Sequence, residues 1–395
     1  MVNIPDSCYF VKFETPSQMR LISIFISTTF IILFISACSN NAEINSQKLT
    51  MKKEAFQKEI EGRKVDLFTL DNKKGLIVQI SNYGGKIVSI IFPDKNGVPA
   101  DLCLGYESLE EYIKGSASLG ATIGPYANRI ANAQFELDGI IYSLDKNNGE
   151  NMIHGGSASF RSKVWDVEKA EDNLLTLSIL SEDGAGGFPG NLLLKVSFSL
   201  SPDNELKLQY HASTDRKTVF NFTNHAFFNL AGEGSGDVLG HKLWVNGDSI
   251  TPTDASGIPT GEILPVESTP FDFRTFKAVG RDIGQDNILL KNAKGYDHNF
   301  VLNRQSQELM HAASLIDPGS GRVMEVFTTE PGLQVYTANT LNTVGKGGNE
   351  YGPYSSICLE TQHFPDSPNH AHFPSTVLSP GEDYRSTTIY KFGIR

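Results

Sequence analysis

Between residues 195 and 210 the chain alternates. Val196, Phe198 and Leu200 interleave with Lys195, Ser197 and Ser199, and beyond Pro202-Asp203-Asn204 the residues Leu206, Leu208 and Tyr210 interleave with Lys207 and Gln209. A period of two puts successive side chains on opposite faces of a strand, so two such runs about a turn predict a hairpin. Similar pairs are predicted around Leu76–Pro93 and around Phe135–Leu144, where Asp138-Gly139 separates the runs. A further pair is predicted from Val323–Thr329 and Leu333–Ala338, joined by Glu330-Pro331-Gly332. Helical signals are few. Ser108-Leu109-Glu110-Glu111 has capping-box spacing and predicts one short helix through Ile113. No repeat, low-complexity tract or Pro/Ser-rich linker divides residues 53–395. The expectation is an all-β protein with a large antiparallel β-sandwich in a single domain over 53–395, because open sheets of many strands curl or split.

Composition fits that expectation. Hydrophobic content of 39% and charged content of 20% belong to a globular chain, and Gly 36 with Phe 24 agrees with many turns and strands. The net charge is −11 and no basic cluster occurs in the body of the chain, which argues against a nucleic-acid partner.

The N-terminus reads separately. After Arg20 an apolar run, Leu21 to Phe34, ends in Ile35-Ser36-Ala37-Cys38. That run is shorter than the roughly 20 residues of a spanning helix. A basic flank, an apolar core and small residues describe an export signal. With a cysteine directly after the small residues, residues 1–38 resemble a bacterial lipoprotein signal, in which Cys38 is acylated. Asp6 and Glu14 are unusual in such a signal, and a start at Met19 gives a tidier one. Residues 39–52 are polar and read as a tether. The expected location is outside the cytoplasm, periplasmic, with membrane contact only through the lipid. Of the other cysteines, Cys8 falls in the signal region, and Cys103 with Cys358 are expected to be buried free thiols, since no spacing suggests a disulfide.

Candidate chemistry comes from ionisable residues in apolar surroundings, where they are costly unless paired or used. His225 lies in Thr223-Asn224-His225-Ala226-Phe227-Phe228-Asn229, and Glu360 follows Ile357, Cys358 and Leu359. Burial raises a carboxyl pKa and makes the group a better base near neutral pH. His154 precedes Gly155-Gly156, Asp297 lies in Gly295-Tyr296-Asp297-His298, and Arg129 follows the Gly124-Pro125 turn. Taken singly, each has an ordinary reading: a hydrogen-bonded core histidine, a turn aspartate, a surface arginine. His363, His370 and His372 have a spacing that admits a metal, but they lie in a proline-rich loop without cysteine, and no metal is expected.

Together these stretches resemble the aldose 1-epimerase (galactose mutarotase) family from about residue 55 to the C-terminus. The resemblance rests on Ser81-Asn82-Tyr83-Gly84-Gly85, Gly124 to Arg129, Asn151 to Gly156, Thr223 to Gly232, Gly295 to Phe300 and Leu359 to Asn369. Gly187 to Asn191 and Pro331 to Tyr336 add to it. It implies the galactose mutarotase-like supersandwich, a free aldohexose as substrate and no cofactor. It also implies His225 as general acid, Glu360 as general base, and Asn128, Arg129, His154, Asp297 and Gln334 as sugar-binding residues. On that reading Glu360 starts ionised and His225 protonated. Phe227 departs from the tyrosine common at its position. Three other readings stay open: a non-catalytic carbohydrate-binding module of the same fold, a glycosidase pairing Glu360 with Asp297, and a hexose-phosphate epimerase. The last should carry further basic residues around Arg129. Oligomeric state and the preferred aldose are not legible.

Overall fold

The alternation around residue 200 becomes two long neighbouring strands, Leu192–Leu200 and Glu205–Thr214, with Phe198 opposite Leu208 and Leu200 opposite Leu206. Every second residue of the first strand is buried. The computed structural model describes residues 49–306 and 308–395. The signal expected at 1–38, with Cys38, and the tether up to residue 48 lie outside the described residues. Leu49–Arg395 form one compact unit, and Met51 donates its N–H to Gln79 Oε1 at 2.6 Å.

Three antiparallel sheets make the body. The largest has nine strands in the spatial order Asp166–Glu171, Leu174–Ser181, Leu192–Leu200, Glu205–Thr214, Tyr384–Ile394, Arg322–Thr328, Met310–Ile316, Lys242–Val245 and Lys277–Ala278. A five-stranded sheet runs Leu264–Pro265, Gly247–Thr251, Asp297–Leu302, Gly332–Tyr336, Cys358–Gln362. A four-stranded sheet runs from Leu67–Asp71 through Ile77–Ser81 and Lys86–Pro93 to Pro99–Asp101. One continuous core joins them. Val196, Phe198, Leu208 and Val326 of the largest sheet pack with Val78 and Ile90 of the smallest and with Phe300, Leu333, Val335 and Leu359 of the five-stranded one. Sheets that each bury one apolar face must stack, and the result is a sandwich.

Local signals were realised in detail. Gln134–Leu137 pairs with Ile140–Ser143 about Asp138-Gly139, both with positive φ (53° and 79°), the two-residue turn that matches strand twist. The helix Leu109–Lys114 carries the full capping box between Ser108 and Glu111. A second helix, Ile288–Ala293, was not expected; Asn287 caps it by accepting from Leu289 and Leu290 N–H. Cys103 and Cys358 are buried and free.

One predicted hairpin does not form. Arg322–Thr328 belongs to the nine-stranded sheet and Gly332–Tyr336 to the five-stranded one, so Glu330-Pro331-Gly332 is where the chain crosses between layers. Alternation identifies two strands but does not say which partners they take. The first turns back on the preceding strand, Met310–Ile316, and takes Tyr384–Ile394 on its other side. The second takes two distant strands, and the buried Glu330 is anchored to His363 rather than exposed in a turn.

A buried ion pair ties the loop after residue 339 to the small sheet. Lys346, 3% exposed, reaches Asp101 Oδ2 at 2.7 Å and the Cys103 carbonyl at 2.8 Å. Lys346→Ala leaves Asp101 buried without its partner, and is expected to cost about 3–5 kcal/mol. The urea unfolding midpoint measures this; an unchanged midpoint would refute it.

Candidate active site

The five-stranded sheet sorts its side chains by alternation. Leu333, Val335 and Leu359 enter the core, so Gln334 and Glu360 turn to the opposite face, where they are direct cross-strand partners. Asp297 starts the neighbouring strand, opposite Tyr336. His225 comes from a different element, Thr223–His225, which pairs with Ala121–Ile123. Register brings it to Glu360. Phe228 and Ile357 exchange both backbone hydrogen bonds at 2.9 Å, and three steps back on one strand and forward on the other lead to His225 and Glu360.

These residues face a cavity of about 480 Å³ lined by Asn128, Arg129, His154, His225, Asp297 and Glu360, among others. His225 Nε2 lies 3.7 Å from Glu360 Oε1. The imidazole stacks on Phe227 (centroids 4.8 Å apart, planes 12°) and meets His154 edge-on at 5.4 Å. Asn128 and His154 both have positive φ, 61° and 53°, strained for side chains of their kind. They hold each other: Asn128 N–H donates to His154 Nδ1 at 3.2 Å and His154 N–H to the Asn128 carbonyl at 3.0 Å. With Nδ1 accepting, the neutral His154 ring keeps its proton on Nε2 as a donor. Arg129 Nε donates to Asn148 Oδ1 at 3.0 Å, and its Nη1 lies 3.9 Å from Asp297 Oδ2. Gly257, with φ of 79°, lets the 253–257 loop close over that guanidinium, since a Cβ there would lie 2.9 Å from Arg129 Cζ.

Gln334 is not part of the cavity wall. Its Nε2 donates to Asp297 Oδ1 at 2.7 Å, so it aims that carboxylate from behind. Sequence reasoning missed the 253–257 loop, Lys294, Asn339 and Tyr336 as wall residues. Tyr336 lay within a motif already singled out, whereas the loop residues carry no periodic signal. The three histidines near the C-terminus go to separate partners: His363 to Glu330, His370 to Asp366, His372 to the Gly261 carbonyl. Among the described residues no three His, Cys, Asp or Glu side chains are grouped to hold an ion.

Electrostatics in the site differ from the expected charges. Burial pushes His225 down to about 4, against the opposing pull of Asp297. Burial, reinforced by Asp297, pushes Glu360 well above the carboxylate range, with Arg129 pulling the other way. A neutral imidazole beside a neutral carboxyl holds the same single proton as an imidazolium beside a carboxylate. The pair therefore keeps the proton count expected from the sequence, with the proton on the other partner.

The family profile described as aldose 1-epimerase matches residues 66–391. The chain belongs to the aldose 1-epimerase family. A galactose mutarotase from Sus scrofa is 40% identical over 332 residues, spanning 84% of this chain and 94% of that protein. An aldose 1-epimerase from Escherichia coli (strain K12) is 37% identical over 335 residues, spanning 84% and 96%. The solved structure of an aldose epimerase homologue from C. elegans gives a TM-score of 0.78 at 30% identity, covering 84% of this chain and 99% of that one. Within the aldose 1-epimerase family this member places a phenylalanine ring, Phe227, flat against His225, so that neighbour supplies packing and no hydroxyl.

Proposed function

We propose that this protein interconverts the α- and β-anomers of free aldohexoses such as galactose and glucose, with Glu360 as general base and His225 as general acid. The observation that carries the reading is the 3.7 Å approach of His225 Nε2 to Glu360 Oε1 at the wall of one cavity. As the ring form binds, the shared proton passes from Glu360 to His225. Glu360 carboxylate then takes the proton of the C1 hydroxyl, the C1–O5 bond breaks as the carbonyl forms, and His225 gives its proton to O5. Rotation about C1–C2 exposes the other carbonyl face. On closure the neutral imidazole recovers the O5 proton, O5 attacks C1, and the Glu360 carboxyl returns its proton to O1. The two one-proton arrangements of the pair are thus the two stages of the cycle. Arg129, Asn128, His154 Nε2–H and Asp297 hold the hydroxyls, and positioning of this kind lowers the entropic part of the barrier.

The wall supports a neutral sugar over a sugar phosphate. Lys294 joins Arg129 in the wall, but Asp254 and Asp297 stand against those two cations and the His225–Glu360 pair with its shared proton adds no net charge. The glycosidase reading is weakened because Asp297 is already engaged by Gln334 and Arg129. Polarimetry on fresh α-D-glucose and α-D-galactose is the test, and release of nitrophenol from aryl glycosides in place of mutarotation would overturn the reading.

The pH profile follows from the pair. A second proton reaches His225 only as pH falls towards about 4. The acid limb of kcat/KM is therefore expected near pH 4, well below the ordinary histidine value of about 6.5. Polarimetric rates from pH 3.5 to 8 measure it, and a fall complete by pH 6 would contradict the pairing.

We also propose export and lipid anchoring at Cys38, on the basis of the apolar run and the small residues before it. Cys38→Ala is expected to abolish labelling by radioactive palmitate and release the protein from the membrane fraction; labelling that persists would refute it.

A further inference from the structure

A second cavity, of about 730 Å³, lies just beyond the Gly332/Gln362 end of the strands that carry Gln334 and Glu360, and it shares no lining residue with the first. It is bounded by the sheet crossing at Thr329-Glu330, by His363 and by the segment 375–387. Its inner wall is a built cluster. Glu330, 2% exposed, accepts from the Tyr384 hydroxyl and lies 2.7 Å from His363 Nδ1. Burial pulls Glu330 upward, but the charge of His363 and hydrogen bonds from His363, Tyr384 and Ser386 outweigh it and keep the carboxylate ionised. The rings of Phe220, Tyr384 and His363 gather around it, with Phe220 4.4 Å from Tyr384 and 5.8 Å from His363 between centroids. Arg304 has no ion-pair partner among the described residues, and its Nη2 is buried without a hydrogen bond.

None of this serves the acid–base pair. With Glu330 held by His363 and Tyr384, the remaining charges around the cavity match in number: Arg304 and Arg385 against Glu382 and Asp383. An ion of either sign would meet its own sign there. The half-buried rings of Tyr384 and His363, with the side chain of Val377, suit the C–H surface of a pyranose, while a guanidinium fork, carboxylates and the hydroxyls of Ser375 and Thr387 suit its rim of hydroxyl groups.

We infer that this cavity is a second carbohydrate site, which binds a neutral saccharide of two or more units without acting on it. It does not depend on the catalytic reading. The test uses raffinose and methyl β-cellobioside, which have no free hemiacetal and so cannot mutarotate, with binding followed by calorimetry and saturation-transfer NMR on the whole protein. Both are expected to bind. Arg304→Ala is expected to weaken them about tenfold or more, the loss of a charge-assisted hydrogen bond, while galactose mutarotation stays within about twofold of wild type. Glu330→Gln, which keeps the shape of the wall, should weaken binding in the same sense. The inference is overturned if neither sugar binds, if binding ignores both substitutions, if the sugars compete with galactose in mutarotation, or if sulfate binds with the same dependence on Arg304.

Discussion

Glu360→Gln is expected to remove about 10²–10⁴ of the mutarotation rate, the range for one general base, and to leave the folded state no less stable. The amide has the shape of the carboxyl but cannot take the C1 hydroxyl proton. Stability should hold because the present group is itself costly: it is 2% exposed and its Oε2 has no hydrogen-bond partner among the described residues. Polarimetry and thermal unfolding of one preparation give both numbers. A near-normal rate removes Glu360 from the mechanism, and a large drop in melting temperature means the carboxyl is structural.

His225→Asn should be as severe, about 10²–10⁴-fold, because ring opening needs a donor at O5. Asparagine also gives up the stack on Phe227 and the edge contact with His154, so a modest loss of stability should accompany it. The double variant separates loss of chemistry from loss of packing. Two groups that share one proton act as a unit, so removing both is expected to slow the reaction little more than removing either. Multiplicative losses in the double variant would mean that the two act independently, and the shared-proton description would fall.

What the sequence revealed depended on whether the signal was local. Alternation located Leu192–Leu200 and Glu205–Thr214, and Asp138-Gly139 located its turn, because period and turn chemistry belong to a few adjacent residues. The segment 322–336 misled for the same reason: its two strands alternate correctly, but the first hairpins with the strand before it, Met310–Ile316, and the second joins a different layer. The site divides likewise. His225 and Glu360 were visible as charges in apolar runs, yet their meeting depends on the register between Phe228 and Ile357, which no local pattern encodes. Gln334 came from the family motif, but its position behind Asp297 required coordinates.

The strand Tyr384–Ile394 sits in the middle of the nine-stranded sheet, between Glu205–Thr214 and Arg322–Thr328. During synthesis, residues 205–214 and 322–328 emerge well before the segment that must zip them together. Until it arrives each half offers a bare ladder of N–H and C=O groups, open to pairing with a neighbouring nascent chain. Closure that waits on so distant a partner is slow. A polypeptide interrupted before residue 384 would thus leave two sticky half-sheets instead of a slightly shortened protein.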